Sequence, residues 1–295
     1  MDSNRKETKS YGIGQNKLEP ISDFCKREIE GAAYAILPEL LAYQGKLFIA
    51  APEKHNKSFA LLNMAFSLAG ATDLWGTSLF KIPKRHRVGY FDQELGARRL
   101  QKRLSGLLGI MPADEIRDAG FFVQPRNRDF RLDRSDGLKM IEDAIKENQI
   151  EVALFDPISK FYPSYDENDT RTMGTLVYNL DTLISHTGVS LVFAHHLAKP
   201  SQSTRHGAQR MRGSSQLGND LDTYIELKLL SPHHHKNQLM EAAFVTRDEP
   251  IPPVYVKRME NGLIEFVSWE NPMNKARKGN TWQGEQDGYA QVNTR

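Results

Sequence analysis

The chain has 295 residues, of which 39% are hydrophobic and 26% charged, a composition typical of a soluble globular protein with a sizeable core. Its net charge of only +2 does not indicate binding to nucleic acid through bulk electrostatics, so any such surface must be local. The single cysteine, Cys25, excludes an internal disulfide framework.

No stretch approaches the roughly 18 apolar residues of a membrane span. The first residues are polar and lack the apolar core of a secretory signal. Together with the single cysteine, these features lead us to expect a cytoplasmic protein with no membrane partner.

Segments with the pattern of strands and helices alternate through much of the chain. The strand-like segments are 46–50, 87–92, 121–123, 152–156 and 189–194. The helix-like segments are 59–70, 97–108, 137–147 and 173–186, preceded by a lead-in helix over 23–35. Four more strand-like segments close the pattern at 224–230, 239–246, 254–257 and 263–267. The alternation predicts a parallel sheet covered by helices on both faces, and the closing strands predict an antiparallel extension.

The polar ends predict one central domain between flexible segments. We expect an arm over 1–20, a domain over 21–269 and a tail over 270–295.

Lys57 and Ser58 lie between a strand-like and a helix-like segment, where a P-loop holds phosphate and Mg²⁺. The pattern G-x-x-x-x-G-K-[ST] is incomplete, because Ala51 and Asn56 replace its glycines. Asparagine visits the left-handed backbone conformation more readily than most residues, which makes Asn56 a tolerable substitute. The alternative is a surface lysine that caps a core helix. The predicted nucleotide-binding positions are Pro52, Glu53, Lys54, His55, Asn56, Lys57, Ser58 and Phe59.

Carboxylates end two of the predicted strands, at the edge where open α/β sheets bind ligands. Asp156 could reach the Mg²⁺ of a nucleotide, or could simply cap the turn before Pro157. Glu94 could act as a general base or orient a water, or could be a carboxylate favoured by a helix start. The neighbouring Asp92 and Gln93 leave that assignment open.

Histidines and basic residues follow the strand over 189–194. An imidazole of His195 or His196 could hydrogen-bond phosphate, whereas zinc is disfavoured because no cysteine or spaced carboxylate accompanies it. The histidines at 233–235 are typical of a solvated turn rather than a metal site. The segment 199–212 contains Lys199, Arg205, Arg210 and Arg212, and is either a phosphate-contacting loop or a solvated charge run.

The order of these motifs resembles the RecA-type ATPase core of plasmid RepA-type hexameric replicative helicases and their phage and mobile-element relatives. The matching motifs are Lys-Ser-Phe at 57–59, Tyr-Phe-Asp-Gln-Glu at 90–94, Leu-Phe-Asp-Pro at 154–157, Asp-Glu-Asn at 166–168, the run 192–199 and Arg-Gly-Ser-Ser at 212–215. The resemblance covers roughly residues 40–260 and implies an α/β fold with a RecA-like P-loop NTPase core.

The resemblance also implies ATP and Mg²⁺ as cofactors and a role for each matching position. Lys57 would bind phosphate, and Ser58 and Asp156 would hold the metal. Glu94 would be the catalytic glutamate, and His196 would sense the γ-phosphate.

By the same resemblance, the segments 160–171 and 199–212 would face the channel of a hexameric ring and contact single-stranded DNA. Lys199, Arg205 and Arg210 are the DNA-binding residues that this implies. The position expected for an arginine finger lies near residues 221–223 and has no arginine, which leaves Arg212 or Arg247 for that role.

The resemblance therefore implies an ATP-dependent ring-forming helicase or translocase that acts on single-stranded DNA in replication, with other replication proteins as possible partners. The altered P-loop keeps open an ATPase-deficient DNA-binding or helicase-loader protein on a degenerate RecA-like scaffold. A third reading is a RecA-like signalling or recombination-mediator ATPase without unwinding.

Overall fold

A computed structural model describes residues 20–26, 33–109, 120–163, 170–197, 220–247 and 249–273. Its strands in these residues are β1 Tyr34–Ile36, β2 Leu41–Ala42, β3 Lys46–Ala51, β4 Val88–Asp92, β5 Phe121–Gln124, β6 Val152–Asp156, β7 Ser190–His196, β8 Thr223–Leu229, β9 Gln238–Thr246, β10 Val254–Arg258 and β11 Ile264–Ser268. Its α-helices in the same residues are α1 Ile21–Phe24, α2 Lys57–Gly70, α3 Ala97–Leu108, α4 Ser135–Glu147 and α5 Thr170–Thr187.

Nine strands of the described residues form one sheet, in the order β11-β10-β9-β8-β3-β7-β6-β4-β5. The neighbours from β8 to β5 all pair in parallel, whereas β9, β10 and β11 pair antiparallel. The prediction of a mostly parallel sheet with an antiparallel C-terminal extension is therefore confirmed. Because parallel strands share direction, the ends of β3, β4, β6 and β7 meet at one edge of the sheet.

Helices cover both faces of this sheet, as the apolar strands require. Alternate residues of β3 point to opposite sides, with Leu47 in the core against α2 and Phe48 in the core against α4 and α5. Helix α2 is buried almost all round, which explains why its sequence lacks a polar face. A rigid, doubly covered sheet is a firm support for side chains at its carboxyl edge.

The lead-in helix predicted over 23–35 is wrong. The described helix ends at Phe24, and Tyr34–Ile36 is a strand that pairs with Leu41–Ala42. Burial of Ala35 and Ile36 in the core overrides the local helix pattern. Almost all of the predicted arm and tail lies outside the described residues, so the domain bounds stay predictions.

Within the described residues, none of the helices combines the length and the apolar character needed to cross a bilayer.

Candidate active site

The loop between β3 and α2 adopts the backbone conformation that a glycine would normally provide. Asn56 has φ 63° and ψ 19°, in the left-handed region, and α2 begins at the next residue. Lys54 also has a positive φ of 63°. Asn56 thus has the left-handed backbone for which asparagine is a tolerable substitute for glycine, and it turns the chain directly into the helix.

Lys57 lies inside this loop. The residue is 7% exposed, and its Nζ donates hydrogen bonds to the carbonyl oxygens of Ala51 at 2.9 Å and Pro52 at 2.8 Å. Burial lowers the pKa of the amine to about 8, and the nearby Asp156 and Glu94 counteract part of that shift. The alternative of a surface lysine is wrong, since the cation is enclosed next to carboxylates at the helix start.

Ser58 and Asp156 come together at the carboxyl ends of β3 and β6. Asp156 is 2% exposed, accepts a hydrogen bond from the Tyr90 hydroxyl at 2.7 Å and interacts with the Ser58 hydroxyl, which lowers the pKa of its carboxyl. Burial raises the pKa of this carboxyl, and the two hydroxyl donors oppose that rise. The carboxylate therefore points into the site instead of capping a turn. A serine hydroxyl beside a carboxylate fits Mg²⁺, which binds one or two protein oxygens together with nucleotide phosphates.

Asp92 is a second buried carboxylate that the sequence did not assign. It lies opposite Asp156 in the β4–β6 pairing and is 1% exposed. One oxygen accepts from the backbone amides of Glu94 at 3.0 Å and Leu95 at 2.6 Å, while the other has no partner among the described residues. Asp92 thus shapes the turn that carries Glu94.

Burial raises the pKa of Asp92 to about 7, with Asp156 adding to the rise. The folded pKa exceeds the unfolded value of 3.8, so the free energy of unfolding falls as pH rises from about 4 to 7. The upper limit of this loss is about 4 kcal/mol.

We expect Asp92→Asn to remove that pH dependence, because the amide oxygen still accepts both backbone bonds. In nucleotide-free urea unfolding, the variant should gain stability relative to wild type between pH 5 and pH 8. The exposed Asp129→Asn serves as control and should show no such gain. An equal stability difference at both pH values for Asp92→Asn would contradict the assignment.

Glu94 projects from this turn into an open cleft. The cleft is lined by Glu94, Gly96, Ala97, Arg98, Arg99 and Arg126. None of the three arginines forms an ion pair within the described part of the chain. The predicted catalytic carboxylate is exposed and lies in a region of positive potential, which favours an anionic ligand beside it.

Gln93 holds one wall of this cleft. Its side-chain amide donates to the carbonyl of Asn127, and to that of Phe130 at 3.4 Å. These bonds fix the loop after β5 that carries Arg126. Gln93 therefore positions this loop, and Glu94 is the one exposed residue among 92–94.

His196 lies beside the P-loop strand, whereas His195 does not face the site. In the β3–β7 pairing, His196 is opposite Ala51 and His195 opposite Ala50. His195 is fully buried, and its ring packs near Phe48 at a centroid distance of 6.0 Å. His196 is the histidine placed next to the loop.

Arg247 is not brought to this site. It is exposed, and its Nε lies 2.9 Å from Asp222 and 3.2 Å from the carbonyl of Leu221, just before β8. Because β9 runs antiparallel to β8, its end reaches the edge of the sheet opposite Lys57. Arg247 is therefore remote from the nucleotide site of its own chain, and its expected role as a finger that reaches a neighbouring subunit stays a prediction. The other predicted basic residues, Lys199, Arg205, Arg210 and Arg212, lie outside the described residues.

The antiparallel extension anchors the P-loop through contacts that the sequence did not predict. Asn56 Nδ2 donates to Gln238 Oε1 at 2.8 Å, and the Leu229 amide donates to His55 Nδ1 at 3.2 Å. His55 also lies near His233, with a ring centroid distance of 5.2 Å. Burial lowers the pKa of His55, helped by His233 and Lys57. No group of three potential metal-binding His, Cys, Asp or Glu side chains occurs in the described residues.

Comparison with known proteins adds one decisive observation. A family model described as an AAA domain matches residues 30–202, more than half of the chain. The chain belongs to the AAA domain family. Membership supports a P-loop ATPase in general, and ATP with Mg²⁺ is what such domains bind. The search of curated proteins found no significant match. The AAA domain match ends before β8, so the extension that anchors the loop lies outside it.

Proposed function

We propose that this protein is an ATP-driven motor that forms a ring and moves on single-stranded DNA, in the manner of RepA-type replicative helicases. The proposal depends mainly on one observation: four side chains lie together at one edge of the sheet, those of Lys57, Ser58, Asp156 and Glu94. These four positions match the phosphate, metal and catalytic residues of that class in order. The AAA domain match supports the ATPase part.

Each of these side chains has a defined task in the proposal. The backbone amides at the start of α2 and the Lys57 cation hold phosphate, once the amine leaves the carbonyls of Ala51 and Pro52. Ser58 and Asp156 would hold Mg²⁺, which when bound neutralises charge on the phosphates. Glu94 orients the attacking water or takes its proton, and its exposed position gives it access to that water. His196, which lies beside the loop, would sense whether the γ-phosphate is present.

The DNA-binding part of the proposal rests on the resemblance and on charge. Segments 160–171 and 199–212 would track the phosphate backbone in the channel of a hexameric ring, with Lys199, Arg205 and Arg210 as contacts. Arg212 or Arg247 would reach the nucleotide of the neighbouring subunit. Other replication proteins would be its partners at a fork.

The test combines three measurements on the full chain. We expect phosphate release from ATP to rise several-fold when a single-stranded oligonucleotide is added. In the presence of an ATP analogue and oligonucleotide, the mass in solution should correspond to several subunits. The protein should also displace a strand from a forked duplex. Turnover without strand displacement would favour a signalling or recombination-mediator ATPase. A chain that neither hydrolyses ATP nor forms a ring would end the proposal.

A second candidate is a DNA-binding or helicase-loader protein with a degenerate ATPase site. The observation in its favour is that side chains of the P-loop already form hydrogen bonds with other groups of the protein. Lys57 donates to two loop carbonyls, and Asn56 is bound to Gln238. The bonds of Lys57 compete with phosphate, and they must break before the amine can bind it.

Restoring the glycines separates the two candidates. For a working motor, we expect the double variant Ala51→Gly, Asn56→Gly to change ATP affinity by less than about threefold, because Asn56 already has the glycine-like backbone. Calorimetric titration with Mg-ATP measures the change. The matched control is Lys54→Gly, which loosens the same loop at another residue of positive φ. A tenfold gain confined to the double variant would favour the degenerate scaffold.

A further inference from the structure

Two arginines meet on the aromatic ring next to the P-loop. Phe59 follows Ser58 in the first turn of α2, and the guanidinium carbons of Arg103 and Arg258 lie 4.6 and 4.8 Å from its ring centroid. Arg103 comes from α3 and Arg258 from the end of β10. The ring itself is held by the β10–β11 turn, since a Cβ on Gly262 would come within 2.7 Å of it. Two elements far apart in sequence thus each place a cation against the same aromatic ring.

Asp92 and Asp156 act on Arg103 electrostatically, but no carboxylate of the described residues is in direct contact with either guanidinium group. Neither forms an ion pair in the described part of the chain, and Arg258 Nε donates instead to the neutral Gln238 Oε1 at 3.2 Å. Burial and the charge of Arg103 both lower the pKa of Arg258. Two half-buried like charges cost free energy unless an anion approaches them. Stacking on one aromatic ring compensates for only part of this cost.

The position of the pair identifies the kind of anion. The charge of Arg103 lowers the pKa of both Asp92 and Asp156, so its electrostatic effect reaches the predicted magnesium site. Gln238, which binds Arg258, accepts from Asn56 of the P-loop through the same oxygen. The positive end of α2 lies at the same point and adds to the potential. A phosphate is the anion that a helix start and two guanidinium groups fit best.

We propose that Arg103 and Arg258 form a second phosphate-binding subsite, which takes a phosphate of the nucleotide held by the Lys57 loop. The inference rests on the proposed nucleotide binding and extends it to a residue outside the AAA domain match. It makes β10, part of the antiparallel extension, a component of the nucleotide site. It also supplies positive charge at a loop that lacks both of its glycines.

The test is calorimetric titration of ATP and of ADP into the full chain and four variants. Arg103→Gln and Arg258→Gln should each weaken binding of both nucleotides about tenfold, equivalent to about 1.4 kcal/mol. Lys102→Gln and Lys257→Gln are matched controls, because each neutralises the preceding residue of the same element, and they should change affinity less than twofold. Arg258→Lys keeps the charge and should retain most of the affinity.

Melting without nucleotide separates this role from a merely structural one. Removing one of two like charges should leave the melting temperature of Arg103→Gln unchanged or higher. A lower melting temperature with unchanged nucleotide affinity in both glutamine variants would overturn the inference. If wild type binds ATP and both variants bind it equally well, the inference falls while the proposed function stands. If wild type binds no ATP, both fall.

Discussion

Lys57→Ala should abolish ATP turnover, with a loss of at least about 100-fold in steady-state phosphate release. The reason is that Lys57 is the enclosed cation at the start of α2, within electrostatic reach of Asp156 and Glu94. No other amine in the described residues occupies that position. Release of inorganic phosphate, followed with and without a single-stranded oligonucleotide, measures the loss.

The matched control for this variant is Lys54→Ala. Lys54 belongs to the same loop but is exposed, and its side chain makes no hydrogen bond or ion pair within the described residues. Its removal should change turnover less than threefold. If Lys57→Ala hydrolyses ATP as fast as wild type, the nucleotide lies elsewhere and the site assignment is wrong. Urea unfolding of both variants verifies that any loss is not a loss of fold.

Glu94→Gln should separate binding from chemistry. The glutamine has the shape of the glutamate but cannot accept a proton, so we expect turnover to fall by about 10² to 10⁴ while Mg-ATP affinity stays within about threefold. Because Glu94 is exposed and makes no contact that the fold requires, the variant should unfold at the wild-type urea concentration. Single-turnover phosphate release and calorimetric binding are the two measurements.

Glu53→Gln is the control for this charge change, since Glu53 is an exposed carboxylate that also affects the pKa of Lys57. It should retain turnover. A Glu94→Gln protein with full turnover would remove Glu94 from the mechanism. Asp92 would not replace it, because one of its oxygens is committed to the backbone amides of the turn.

Local chemistry made part of the site predictable. Hydrophobic patterning located the strands of the main sheet, because buried parallel strands are apolar throughout. The backbone preference of asparagine predicted the conformation of Asn56. The position of Asp156 at the end of an apolar strand was enough to place it at the ligand-binding edge.

Contacts between distant segments were not predictable in the same way. Asn56 and Gln238 are 182 positions apart, and nothing in either local sequence indicates their bond. The stacking of Arg103 and Arg258 on Phe59 likewise depends on how β10 folds back over α2. The lead-in helix failed because pairing with a short strand decided the conformation of residues 34–36.

The placement of Arg247 shows the value of topology. The sequence predicted the strand that precedes Arg247 and the antiparallel extension to which that strand belongs. In an antiparallel pair the end of one strand lies at the beginning of its neighbour, so the residue after β9 reaches the amino edge of β8. That argument alone separates Arg247 from the Lys57 loop.

Calorimetric titration of Mg-ATP into wild type, Lys57→Ala and Lys54→Ala tests most directly whether the loop over residues 52–56 wraps a triphosphate. We predict saturable binding of one nucleotide per chain to wild type and to Lys54→Ala, and none to Lys57→Ala. A wild-type chain that gives no binding heat at millimolar ATP, or an affinity that Lys57→Ala leaves unchanged, would contradict the account.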